Sequence, residues 1–147
     1  MPFIPYIELC PEKGDVETRK IQLFQNTNKL GLPIGSYVFI ELFCNECDCR
    51  RAMFNVFKDN ESVAVISWGW ESYSFYRKWL GADDKELIKE MQGTELNMMS
   101  PQSKLAPKVL AMFKMVLLSD KSYTERVKTH YHEFRIVLLN QKNRNKK

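Results

Sequence analysis

The clearest alternation of apolar and polar positions begins at Ser36. In "SYVFIELF" (36–43), Val38, Ile40 and Leu42 fall on one side and Tyr37, Phe39, Glu41 and Phe43 on the other. That period of two marks a β-strand. "AMFNVF" (52–57) continues in the same β-branched and aromatic style, "KDNE" (58–61) is a turn cluster, and "SVAVISW" (62–68) supplies a third strand. Three consecutive strands with short connections predict an antiparallel meander. Upstream the pattern is weaker. "TRKIQLFQ" (18–25) fits either a short strand or a helical turn, and "NTNKLGLPIG" (26–35) carries the Asn, Gly and Pro of a loop.

Beyond residue 70 the period lengthens to that of a helix. "SYSFYRKWLG" (72–81) ends on Gly81, a natural position for a left-handed cap, and "DDKELIKEMQG" (83–93) places Asp83 three residues before Glu86 and ends on Gly93. "PKVLAMFKMVLL" (107–118) starts on a proline and aligns Val109, Met112, Phe113, Val116 and Leu117 along one side. "SYTERVKTHYHEFRIVLL" (122–139) opens with Ser122 and Glu125 in capping-box register and carries a stripe of Tyr123, Val127, Tyr131, Phe134 and Leu138. Strands followed by helices, not alternating with them, predict an α+β fold. The expectation is a small antiparallel sheet of about three strands, followed by three to four helices packed on one face. Residues 1–140 form a single domain in this reading.

A chain of 147 residues with 44% hydrophobic and 12% aromatic residues can build a core without crosslinks. Its net charge of +4 suggests nucleic acid until it is located. Lys142, Arg144, Lys146 and Lys147 sit in the last segment, and without them the chain carries 18 basic and 18 acidic residues. Residues 141–147 are therefore expected to be a basic disordered tail, and the domain itself has no basic excess. No apolar stretch reaches the ~20 residues needed to cross a bilayer. "MPFIPYIELC" lacks a basic n-region, and Pro2 and Pro5 interrupt its apolar run. A cytoplasmic protein is expected, where clustered cysteines signal metal or redox chemistry in preference to disulfides.

Three of the four cysteines lie in "CNECDCRR" (44–51). Cys44 and Cys47 have the C-x-x-C spacing by which one tight turn presents two thiolates to a single zinc ion, and Cys49 follows two residues later. The cluster falls between two strands, at a hairpin tip. A tetrahedral structural site needs a fourth ligand. His130 lies on the apolar stripe of the last helix, whereas His132 shares the polar side with Glu125, Lys128 and Arg135. The expected site is Cys44, Cys47, Cys49 and His130, with Cys10 as the alternative fourth ligand. Against this stands the plainer reading of His130 as a satisfied core histidine and of Cys10 as an inert buried thiol.

Arg50 and Arg51, with Trp68 and Trp70 of "WGWESYSFYRKW" (68–79), are candidate contacts to a ligand or nucleic acid. At helical spacing Phe75, Tyr76 and Trp79 more simply face the sheet. There is no glycine-rich phosphate loop, no His-Glu-x-x-His register and no deaminase motif.

The run "SYVFIELFCNECDCRRAMFNVF" with "WGWESYSFYRKWLG" and "SPQSKLAPKVL" is similar to a group of uncharacterised bacterial proteins that share a C-D-C-R-R segment after an aromatic strand. The similarity spans roughly residues 35–135. It implies Cys44, Cys47, Cys49 and His130 as a shared feature, and it implies no activity.

The function expected is a zinc-stabilised binding or interaction module, with a protein partner, and not an enzyme. Two alternatives are a nucleic-acid-binding zinc protein and a thiol redox sensor using Cys44 and Cys47.

Overall fold

The long strands form where the alternation is strongest. In the computed structural model, which describes residues 3–25 and 29–145, the expected meander is β3 (Gly35–Cys44), β4 (Arg51–Lys58) and β5 (Glu61–Gly69), paired antiparallel. The sheet is nevertheless twice the expected size. It has six strands in the order β1-β3-β4-β5-β6, with β2 also on β3. β1 (Phe3–Pro5) and β2 (Arg19–Leu23) lie one after the other along the outer edge of β3, against residues 42–44 and 35–39 respectively. β6 (Gly93–Leu96) closes the far edge on β5. The stretch 18–25, which fits either a strand or a helical turn, contains the strand β2, while strands of three or four residues carry too few alternations to register in sequence. All three form because a long neighbouring edge offers them a ladder of backbone partners.

The helices also exceed the three to four expected. α1 (Tyr6–Leu9) and α2 (Pro11–Glu17) fill the connection from β1 to β2; α3 (Tyr73–Leu80) and α4 (Lys85–Met91) connect β5 to β6; α5 (Ala106–Met112) and α6 (Lys121–Asn145) follow. Between these last two, Phe113–Leu117 makes a π-turn, closed by Leu118 N–H on the carbonyl of Phe113 at 3.0 Å. Its extra residue rotates the stripe, so Leu117 is buried but Val116 is 38% exposed. Ser72 caps α3 by accepting from Phe75 N–H, and Gly81 ends it at φ 73°. Two caps lie one or two residues from where sequence places them. Asp84, not Asp83, caps α4, and Asp120, not Ser122, accepts from the first turn of α6. α6 runs on to Asn145, so residues 141–145 of the expected tail are helical; Lys146 and Lys147 lie outside the described residues.

The main core sits between the Tyr37, Phe39, Glu41 and Phe43 face of β3 and helices α5 and α6. α6 buries Tyr123, Val127, His130, Tyr131 and Phe134 of the stripe expected for it, and Leu138 at its end is half-buried. A smaller core of Tyr76, Ile88 and Met91 joins α3 to α4. Trp79 does not share it and is 41% exposed. Gly69 permits the close approach of these two units. A Cβ there would stand 1.9 Å from the carbonyl oxygen of Met91.

Candidate metal centre

β3 delivers Cys44 at its last position, opposite Phe3 of β1, and β4 starts again at Arg51. The intervening loop folds back on itself. Cys44 and Cys49 are each 3% exposed, while Cys47 is half-buried. The sulfurs of Cys44 and Cys47 are 3.0 Å apart, and Glu46 N–H donates to Cys44 Sγ at 3.4 Å. All three sulfurs lie within 4.8 Å of one another, and they form the one group of potential metal ligands among the described residues.

The turn depends on Arg50, whose φ of 49° is costly for a residue with a Cβ. Tyrosine hydroxyls from two helices satisfy its backbone. Arg50 N–H donates to Tyr131 Oη at 3.1 Å, and Tyr76 O–H donates to the Arg50 carbonyl at 2.9 Å. Tyr131 O–H in turn donates to Asp48 Oδ1 at 2.5 Å, and Arg135 donates to the Cys47 carbonyl at 2.9 Å. The loop is thus held by α3 and α6 at Cys47, Asp48 and Arg50.

Burial raises the pKa of Cys47, reinforced by its hydrogen bond with Cys44 and by the charges of Cys49 and Cys44. Cys49 is raised by burial and by Cys44, with Arg51 opposing. Burial and the neighbouring thiols therefore favour the protonated forms of Cys47 and Cys49, a cost that a metal ion on their thiolates would offset. Asn45 Oδ1 is also buried in this loop without a hydrogen-bond partner. These features suit a metal ion.

His130 is not brought to this cluster. Its Nδ1 is 2.9 Å from Glu41 Oε1, its Nε2 is 2.9 Å from Glu17 Oε2, and its ring stacks on Tyr6 at 4.2 Å. Both ring nitrogens are occupied, and the residue is 1% exposed. The physical reason is Glu41, a carboxylate on the aromatic face of β3 that is 5% exposed and needs a buried partner. The two carboxylates lie on opposite sides of the imidazole and do not converge on one ion. Cys10 also lies apart from the three sulfurs. It faces Tyr6, Lys13 and Glu133 beside a cavity of about 540 Å³.

The other candidates pack into the domain. Arg50 stands 4.6 Å over the Phe75 ring and reaches Glu71 at 3.4 Å, and Arg51 Nε donates to the Met91 carbonyl at 3.0 Å. Trp68 and Trp70 are 5.2 Å apart, and Trp70 meets Tyr131 edge-on at 5.2 Å. Tyr131, Tyr76 and Arg135, which build the turn, carry no sequence signal beyond helical periodicity; only the docking of α3 and α6 reveals them.

Protein-family models, curated proteins and solved structures give no match to this chain. No helix among the described residues is long and apolar enough to cross a membrane.

Proposed function

We propose that this chain is a small binding or interaction module stabilised by Zn²⁺ on Cys44, Cys47 and Cys49, working in the cytoplasm with a protein partner. The observation that carries it is the convergence of three sulfurs within 4.8 Å on a turn pinned by two helices. Zinc suits such a donor set because it is redox-inert and takes thiolates in tetrahedral geometry. In this reading the metal crosslinks the turn between β3 and β4, beside the α6 side chains that hold it. The test is metal analysis of protein purified without chelator, where about one zinc per chain is expected. Chelation should then lower the thermal midpoint. A metal-free preparation with an unchanged midpoint would remove the reading.

The Cys44–Cys47 contact of 3.0 Å favours one second reading, a reversible disulfide. A redox thiol reacts as its thiolate, and burial holds Cys47 protonated, which weighs against it. The engagement of Arg50 and Arg51 within the domain weighs against nucleic-acid binding in the same way.

A further inference from the structure

Three thiols leave one position of a tetrahedral site unfilled, and α6 passes directly beside them. Two of its side chains touch the loop, Tyr131 at Asp48 and Arg50 and Arg135 at the Cys47 carbonyl. Those contacts fix which flank of α6 faces the cysteines. At about 100° per residue, His130 stands roughly 140° away from Arg135, on the flank that meets α1, α2 and Glu41. His132 stands roughly 60° from Arg135, and both histidines stand roughly 100° from Tyr131, so His132 is the nearer of the two to the flank that holds the loop. Its ring is 5.8 Å from that of Tyr131, whose hydroxyl holds Asp48 between the second and third cysteines. His132 is also exposed, so its ring turns about two bonds without displacing any packed group.

We propose that His132 supplies the fourth ligand, closing a Cys3His site on Cys44, Cys47 and Cys49. This rests on the metal reading above. The metal-free ring is not within the 4.8 Å group, so binding draws the imidazole from solvent over the half-buried Cys47. Each cysteine thiol releases its proton to solvent as it binds as a thiolate, and the neutral imidazole contributes one nitrogen lone pair. The chain is then closed on itself from the β3–β4 hairpin to the middle of α6, eighty-odd positions later in sequence.

The test titrates the reduced full chain with Co²⁺ and with Zn²⁺, in the wild type and in His132→Ala, His130→Ala and Cys10→Ser. Wild type should give the ligand-field spectrum of a tetrahedral ion with three sulfurs and one nitrogen. His132→Ala should shift those bands and weaken binding by about tenfold or more, since even outer-shell partners of a ligand cost about 10–100-fold. Because the residue is exposed, the metal-free variant should keep the wild-type thermal midpoint. Zinc should also shift the ring nitrogens of His132 by NMR and leave those of His130 in place. Unchanged bands and affinity in His132→Ala would overturn the assignment while leaving the three-cysteine site standing. So would a change confined to His130→Ala or Cys10→Ser. Failure of the folded wild type to bind either ion would remove the metal reading itself, and this inference with it.

Discussion

Replacing Glu41 by Gln probes the buried centre that His130 occupies. The exchange keeps the shape and one hydrogen-bond acceptor but removes the charge 2.9 Å from Nδ1. Burial acts to lower the His130 pKa, yet the hydrogen bonds and charges of Glu41 and Glu17 outweigh it and the net shift is upward. With a raised folded value, the stabilisation is full below the unfolded pKa of about 6.5 and is lost as pH climbs through the folded one. A charge-assisted hydrogen bond contributes about 1.5–3 kcal/mol, and breaking a buried pair costs about 3–5 kcal/mol. The Gln amide still accepts a hydrogen bond, so about 2–3 kcal/mol at pH 6 is expected. For a chain of this length that is a fall of about 4–12 °C in thermal midpoint. Urea unfolding of both proteins from pH 5.5 to 9 measures it. The gap between wild type and Glu41→Gln should be largest at the acid end and narrow towards pH 9. A gap below about 0.5 kcal/mol at pH 6, or one that ignores pH, would refute the argument. Metal content should be the same in both, because this centre lies on the other flank of α6 from the cysteines.

Two further substitutions test what shapes the loop. Tyr131→Phe deletes the hydroxyl that accepts from Arg50 N–H and donates to Asp48, stranding a backbone donor at a left-handed residue. A loss of about 1–3 kcal/mol is expected by chemical denaturation, together with weaker zinc retention against a chelator. Gly69→Ala would place a methyl group 1.9 Å from the Met91 carbonyl, which also accepts from Arg51. Backbone must move to admit it, so a loss of about 1–3 kcal/mol or more should appear in thermal melts, and a neutral result would contradict the close approach.

What the sequence determined by itself follows from interactions between near neighbours. β3 is legible because its residues repeat a period of two and burial on one face enforces the register, and β4 and β5 because β-branched and aromatic runs follow it across short turns. The buried stripe of α6 is legible for the same reason as β3, at a period of 3.6. The three thiols are local too, packed into six positions on one turn. Tertiary structure alone decided the rest. β1 and β6 have no pattern of their own and β2 only the ambiguous one of residues 18–25, and all three exist because edges of β3 and β5 are there to pair with them. Sequence placed His130 on the buried stripe of α6, but a stripe does not say which neighbour a side chain meets. That depended on Glu41, 89 positions earlier in the chain, and Glu17, 113 positions earlier, both reaching the same ring. The rotation of α6 about its axis, set by large aromatic contacts such as Phe43 with Tyr131 and Phe134, turned His130 towards the carboxylates and left His132 exposed. A rotation of that kind is a property of the packed core, and no window of adjacent residues contains it.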